Sequence, residues 1–294
     1  MTGTRIEFTG NEGNRLVADR HGETGQPVIL LHGGGQTRYS WDAAAESIAR
    51  QGHVVYCLDQ RGHGESDWVP SGNYEFHDYA MDLIAVADRV AALHGARPVL
   101  VGASLGGLAG MMAEGELKPG ALAALVLVDV TPRMDLGGVS RILGFMAERV
   151  EEGFATVEEA ADAIELYLPN RKRPKDLSGL SKNLRLHDDG RYRWHWDPKF
   201  IASKHGNDNG HAIETQQIML KAAANLKLPV LLVRGQNSEL VSQEHVKEFI
   251  ELVPHAHFTD IKNAGHMVAG DRNDIFAEAV QSFLDKLFRN AEAS

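Results

Sequence analysis

The sequence predicts an α/β protein, a mostly parallel eight-stranded sheet flanked by helices, with a helical insertion. Three observations carry this. Short runs rich in valine, isoleucine and leucine recur along the 294 residues, each bounded by turn residues. The runs are continuous rather than alternating, the pattern of strands covered on both faces, which parallel sheets require. Amphipathic helical patterns fall between them, as in successive βαβ units.

In chain order, "RIEFTGNEGNRLVADRHG" alternates apolar and polar residues around Gly10 to Gly13 and predicts an edge hairpin. Six core strands follow: "PVILLHGGG" (27–35), "HVVYCLDQRG" (53–62), "RPVLVGAS" (97–104), "LAALVLVDV" (122–130), "LPVLLVRG" (228–235) and "HFTDI" (257–261). Among the helices, "HDYAMDLIAVADRVAALHG" places Ala80, Leu83, Ile84, Ala87, Val90 and Ala91 on one stripe, with Gly95 as its stop. The alternation breaks once. Residues 132–226 offer helices but no good strand: "SRILGFMAERVEEG", then "TVEEAADAIELYL" opening on a Thr156–Glu159 capping box, then "AIETQQIMLKAAANL" beyond an aromatic and basic segment. This reads as a lid set into a core formed by residues 1–131 and 227–294.

Bulk composition narrows the partners. Thirty Lys and Arg against forty Asp and Glu leave a formal charge of −10, which repels phosphate backbones and anionic lipid surfaces. No nucleic acid and no membrane partner is therefore expected, and "RKRPK" (171–175) reads as a solvated basic face. The lone Cys57 lies within an apolar run and reads as core. The start lacks the basic and apolar regions of a secretory leader, and no apolar run reaches the ~18 residues of a membrane span. The expectation is a cytoplasmic protein, monomer or homodimer, acting on a small molecule.

The chemistry centres on "GASLG", residues 102–106, where a strand gives way to a helix. A Gly-x-Ser-x-Gly pentapeptide occurs by chance in roughly one chain in ten of this length, so its strand-turn-helix setting is what matters. In such a turn the strand and helix nearly touch, the flanking positions must lack side chains, and the serine hydroxyl is lifted to the carboxyl edge of the sheet. Ser104 is thus the candidate nucleophile. A serine hydroxyl needs a base, and the base an acid to hold its tautomer. Of fourteen histidines, His266 in "KNAGHMVAGD" sits just past the last strand, with Asp271 and Asn273 opening a terminal helix. Two acids end strands: Glu239 in "VRGQNSELVS", preferred for the order serine, acid, histidine, and Asp129 in "LVLVDVTP" as the alternative.

An oxyanion needs backbone N–H donors already in place. His32-Gly33-Gly34-Gly35 leaves a strand with three residues free of side chains, and Gly34 and Leu105 are the candidate donors. In "DQRGHGES" (59–66), Asp59, Arg61 and Ser66 read as builders of a rigid loop, and His63 as structural. His255 and His257 lack a carboxylate pattern, and neither metal nor cofactor is expected.

Together "LHGGGQT…SW", "DQRGHGES", "GASLGG" and "NAGHMVAGD" resemble, in order and spacing, the α/β-hydrolase superfamily over nearly the whole chain apart from the insertion. The resemblance implies a serine esterase with Ser104 as nucleophile, His266 as base, Gly34 and Leu105 as oxyanion donors and an acid at Glu239. Most members of this kind carry Asp there. Some draw the acid from the earlier strand instead, which keeps Asp129 in play.

The expected activity is hydrolysis of carboxylic esters of small to medium apolar substrates through an acyl-enzyme. Phe145, Met146, Trp194 and Trp196 of the insertion are the candidate substrate-binding residues, and Arg191 and Arg193 could engage a carboxylate. A lactonase or carbon–carbon (keto-acid) hydrolase would use the same triad. A ligand sensor signalling through its lid is the non-enzymatic alternative.

Overall fold

The computed structural model describes residues 3–167, 173, 176–205, 209–266, 268 and 273–288, with side chains left out at 203–212 and 273–274. The opening hairpin is β1 (Thr4–Thr9) and β2 (Arg15–His21). The central strands are β3 (Pro27–Leu31), β4 (Val54–Leu58), β5 (Val99–Ala103) and β6 (Ala124–Val128). Their helices are α1 (Asp42–Arg50), α2 (Phe76–His94) and α3 (Leu105–Met112). An insertion follows, with α4 (Leu136–Ala147), α5 (Val157–Tyr167), α6 (Ser178–Ser181), β7 (Leu184–Leu186), β8 (Tyr192–Trp194), α7 (Pro198–His205) and α8 (Asn209–Asn225). The chain closes with β9 (Val230–Gly235), α9 (Gln243–Leu252), β10 (His257–Ile261) and α10 (Asn273–Phe288).

Eight strands form one sheet in the order β1-β2-β4-β3-β5-β6-β9-β10. β1 and β2 pair antiparallel, β2 meets β4 antiparallel, and every other pairing is parallel. Successive side chains of a strand point to opposite faces. Both faces of the central strands are apolar and buried. Ile29 and Leu31, Tyr56 and Leu58, Leu100, and Leu125 and Leu127 pack with α2, α3, α8 and α9 on one side. Val28 and Leu30, Val55 and Cys57, Val99 and Val101, and Val126 and Val128 pack with α1 and α10 on the other. This two-sided burial is why the strands read as continuous apolar runs.

Helix ends follow local chemistry. α2 stops at Gly95, whose φ of 65° is the left-handed C-cap that a side chain resists. The Thr156–Glu159 box forms in half: Thr156 Oγ1 accepts from Glu159 N–H, but the Glu159 carboxylate reaches Ala155 N–H and Arg149.

The insertion departs from expectation by containing a hairpin. β7 and β8 pair antiparallel, Leu184 opposite Trp194, around a turn closed by Gly190 N–H to His187 C=O and with Gly190 at φ 77°. A third apolar cluster joins this insertion to the core: Met146, Phe154, Trp194, Trp196 and Phe200 against Tyr74, Tyr79, Leu105 and Ala109. α8 turns away and lies against α3 and the helical turn that follows it, where Asn225 Nδ2 donates to the Gly115 carbonyl. No helix among the described residues is long and apolar enough to cross a membrane.

Candidate active site

The carboxyl edge of the sheet gathers three of the candidate segments, each one step past the end of a strand. β3 runs into His32, β5 into Ser104 and β6 into Asp129. Leu31 is opposite Gly102 and Ala103 opposite Val128, so Ser104 and Asp129 leave neighbouring strands side by side. Ser104 N–H donates to the Val128 carbonyl at 3.2 Å and locks that arrangement.

Ser104 has φ 45° and ψ −112°, a conformation that costs a residue with a side chain about 1–3 kcal/mol. The glycines explain why it holds. A Cβ on Gly102 would sit 2.5 Å from the backbone of Gly106, and one on Gly106 would sit 2.6 Å from the Leu31 carbonyl oxygen. β5, β3 and α3 touch through bare backbone, and the chain can turn only at Ser104.

Asp129 is fully buried and also strained, with φ 51°. Its Oδ1 accepts Gly235 N–H at 3.0 Å. Its Oδ2 accepts the Ser238 hydroxyl at 2.5 Å and pairs with His266 Nδ1 at 2.7 Å. The carboxylate therefore fixes the Nδ1–H tautomer of His266 and leaves Nε2 as the acceptor. Among the described residues no hydrogen bond joins Ser104 Oγ to His266; Asp129, which holds His266, ends the strand next to that of Ser104. Met267 and residues 269–272, Asp271 included, lie outside the described residues, as do 171–172 and 174–175 of the basic run, while Arg173 pairs with Asp162 and Glu165.

The preferred acid of the sequence reading does not meet the histidine. Glu239 pairs with Arg141 of α4 at 3.0 Å, and its side chain is one-third exposed. The cause is the turn after β9. There the Ser238 hydroxyl accepts Leu240 and Val241 N–H while donating to Asp129, so Ser238 faces Asp129 and Glu239 is directed toward Arg141 of the insertion. Geometry thus favours the alternative acid, Asp129. Ser238 itself was not singled out from the sequence, where a serine beside a carboxylate carries no distinguishing mark.

Opposite the serine lies the loop His32–Gln36. A Cβ on Gly33 would contact Ser104 Cβ at 3.4 Å. Gly33 N–H donates to Gln36 Oε1, and Gly35 N–H donates to His63 Nε2. Gly34 and Leu105 N–H have no acceptor among the described residues, and Leu105 is the first residue of α3, where orphan donors and the helix dipole favour negative charge.

His32 is fully buried, donating from Nδ1 to the Gly33 carbonyl and accepting Gln60 N–H at Nε2. Burial pushes its pKa down to about 4. His63 is buried as well, bonded to the Arg61 carbonyl through Nδ1, and its pKa is pushed down to about 3 by burial and then by His32. Both are neutral scaffold groups. The 59–66 loop around them is held by Asp59, which accepts from Arg38 and Glu65, and by Ser66, which donates to the Asp59 carbonyl.

Among the insertion residues, Met146 and Trp196 reach this loop: a Cβ on Gly35 would lie 2.8 Å from Met146 Cε and 3.4 Å from the Trp196 ring. Phe200, which the sequence did not mark, contacts Gly34. Phe145 and Trp194 stand behind, with Phe145 stacked on Tyr167 at 4.3 Å and Trp194 on Trp196 at 5.0 Å. Arg191 and Arg193 do not face a substrate. They bond the Glu151, Glu152 and Gly153 carbonyls and Asp189, because the β7–β8 hairpin uses them to tie down the preceding loop.

Comparison with known proteins agrees with this architecture. A family model described as alpha/beta hydrolase fold matches residues 26–272. Esterase Rv0045c of Mycobacterium tuberculosis is 29% identical, covering 97% of this chain and 91% of that protein. A 3-hydroxybutyrate-oligomer hydrolase of Cupriavidus necator is 27% identical over 86% of this chain and 87% of its own. Among solved structures, E-2-(acetamidomethylene)succinate hydrolase superposes with a TM-score of 0.80 at 22% identity, covering 96% and 99% of the two chains. With a buried carboxylate and a strained serine at neighbouring strand ends, the carboxylate paired with an imidazole, the match over residues 26–272 shows that the chain belongs to the alpha/beta hydrolase fold family.

Proposed function

We propose that the protein hydrolyses carboxylic esters of small to medium apolar substrates through an acyl-enzyme, with Ser104 as nucleophile, His266 as base and Asp129 as acid. The observation that carries this is the 2.7 Å pairing of His266 Nδ1 with Asp129 at the strand end beside the strained Ser104. With Nδ1–H given to the carboxylate, His266 Nε2 takes the Ser104 proton as Oγ attacks the ester carbonyl. Negative charge then develops on the carbonyl oxygen, where Gly34 and Leu105 N–H stabilise it. The imidazolium, stabilised by Asp129, gives its proton to the leaving alcohol. Water repeats the sequence on the acyl-enzyme and frees the acid.

The insertion at 132–226 serves as the lid in this reading, with Met146, Trp196 and Phe200 as the apolar wall nearest the reacting carbonyl and Phe145 and Trp194 behind it. That the relatives include an esterase and a 3-hydroxybutyrate-oligomer hydrolase supports the reaction class. The test is a series of p-nitrophenyl esters from acetate to decanoate with wild type and Ser104→Ala. Hydrolysis that disappears in Ser104→Ala, with a burst in the wild type, is expected; a rate that survives the substitution ends the proposal.

A further inference from the structure

Resting on that reading, we infer that His195 is a positioning residue for oxyanion stabilisation, its neutral imidazole joining the insertion to the backbone that carries the Gly34 donor. Three successive peptide units of the loop are each held by a different buried histidine. The Gly33 carbonyl, in the same plane as Gly34 N–H, accepts from His32 at 2.8 Å. Gly35 N–H, on the next plane, donates to His63 at 3.1 Å. The Gly35 carbonyl, on the third, accepts from His195 Nε2 at 3.3 Å. His32 and His63 belong to loops of the core, whereas His195 comes from the insertion.

The protonation of His195 is fixed by its other contact. Nδ1 accepts Gly64 N–H at 2.7 Å, so Nε2 carries the hydrogen that reaches Gly35. The ring is 1% exposed, and burial holds its pKa well below the ordinary range. The three imidazoles form a row, with centroids 5.2 Å apart for His32 and His63 and 5.8 Å for His63 and His195. Trp194 and Trp196 on either side are buried and stacked, which fixes the ring against the loop.

Consecutive glycines have no side chain to define their own planes, and Gly35 sits at φ 75°. The direction of the Gly34 donor is therefore set by hydrogen bonds: the turn bond from Gln36 N–H to the Gly33 carbonyl at 3.1 Å and the three imidazole contacts. If the insertion lifts, the Gly35 carbonyl and Gly64 N–H lose their partner together, and the donor plane keeps only its core contacts, from His32 and Gln36.

Two substitutions separate this role from a packing role. His195→Gln keeps an amide N–H near the place of Nε2 and so the bond to Gly35. His195→Asn keeps an acceptor for Gly64 but falls short of Gly35. With p-nitrophenyl butyrate, the Asn variant is expected to lose about ten- to hundredfold in kcat with KM within about threefold, and the Gln variant to stay within about fivefold of wild type. A trifluoromethyl ketone, whose adduct places an oxyanion in the hole, should weaken by the same factor as kcat falls in the Asn variant. Equal loss in both variants, loss confined to KM, or no loss overturns the assignment. The Gln variant decides alone if the Asn variant does not fold: folded and impaired more than a hundredfold, it refutes the role. A fluorophosphonate probe separates the two readings. Wild type left unlabelled at Ser104 removes the esterase reading and this inference with it, whereas labelling at an unchanged rate in His195→Asn removes only the inference.

Discussion

Replacing Asp129 with asparagine tests which carboxylate orients His266. The carboxylate accepts three donors: Gly235 N–H, the Ser238 hydroxyl and His266 Nδ1–H. An asparagine oxygen placed at Oδ1 keeps Gly235, which leaves the amide NH2 facing Ser238 and His266. Ser238 Oγ already accepts Leu240 and Val241 N–H, so it cannot readily take another hydrogen. His266 resolves the donor-to-donor clash by moving its hydrogen to Nε2, and in that tautomer it cannot take the Ser104 proton. The same change in a serine protease triad costs about 10⁴ in kcat, equivalent to roughly 5.5 kcal/mol, and a loss of 10³–10⁴ is expected here. Glu239→Gln breaks only a partly exposed pair with Arg141, worth about 0–1 kcal/mol to stability, and should leave kcat within about twofold. Steady-state hydrolysis of p-nitrophenyl butyrate by the two variants, each checked for folding by thermal melt, decides the matter. Asp129→Asn with a tenth or more of wild-type kcat, or Glu239→Gln with a hundredfold loss, would refute the reasoning.

Two further outcomes follow from the same structure. Gly102→Ala puts a methyl 2.5 Å from the Gly106 backbone, which cannot yield without moving α3 off β5; a loss of about 3 kcal/mol or more is expected, read as a melting temperature lower by several degrees, and an unchanged melt would contradict the packing. The buried histidines make the fold acid-sensitive. His32 and His63 have folded pKa values depressed to about 4 and about 3, so above pH ~6.5 they are neutral folded or unfolded and cost nothing. As pH falls below ~6.5 the unfolded chain takes up protons that the folded chain refuses, and each histidine removes roughly 1.4 kcal/mol of stability per pH unit until its folded pKa is reached. Asp59 and Asp197 facing His63 oppose this trend and His32 reinforces it. Melting temperatures from pH 8 to 4.5 should fall, and His63→Gln should fall less steeply; parallel curves would show that His63 is not the titrating group.

The strands were legible because two-sided burial leaves continuous apolar runs, and α2 because its stripe and Gly95 stop are local. Ser104 was legible because close backbone approach demands glycine at fixed spacing. The acid was narrowed to two residues, Glu239 preferred and Asp129 as the alternative, because each follows a strand between the serine and the histidine in the chain. What separates them is the direction of a turn, set by Ser238 hydrogen bonds to residues far apart in sequence. The β7–β8 hairpin had an available signal, Asp189-Gly190 between short β-prone runs, which the surrounding helical patterns obscured. His195 had none: among fourteen histidines its neighbours are tryptophans, and its partners Gly35 and Gly64 lie 160 and 131 positions away.

Both residues with strained backbones in the site, Ser104 and Asp129, end adjacent strands, and the same feature explains how the strain persists. Each strained residue donates its N–H to the neighbouring strand: Ser104 to Val128, Asp129 to Val233. The cost, about 1–3 kcal/mol apiece, is spread over a parallel ladder whose side chains are buried on both faces. Ser104 and Asp129, the proposed nucleophile and acid, are therefore both anchored to paired strands of the sheet. The loop that carries Gly34 has no such ladder beyond Leu31; its planes are held by the turn bond from Gln36 N–H to the Gly33 carbonyl and by imidazoles, one of them supplied by the insertion. In the proposed mechanism the sheet thus fixes Ser104 and Asp129, whereas the Gly34 donor lies on a loop that the insertion helps to hold, so changes in the insertion should be felt in oxyanion stabilisation before they disturb the pairing of His266 with Asp129.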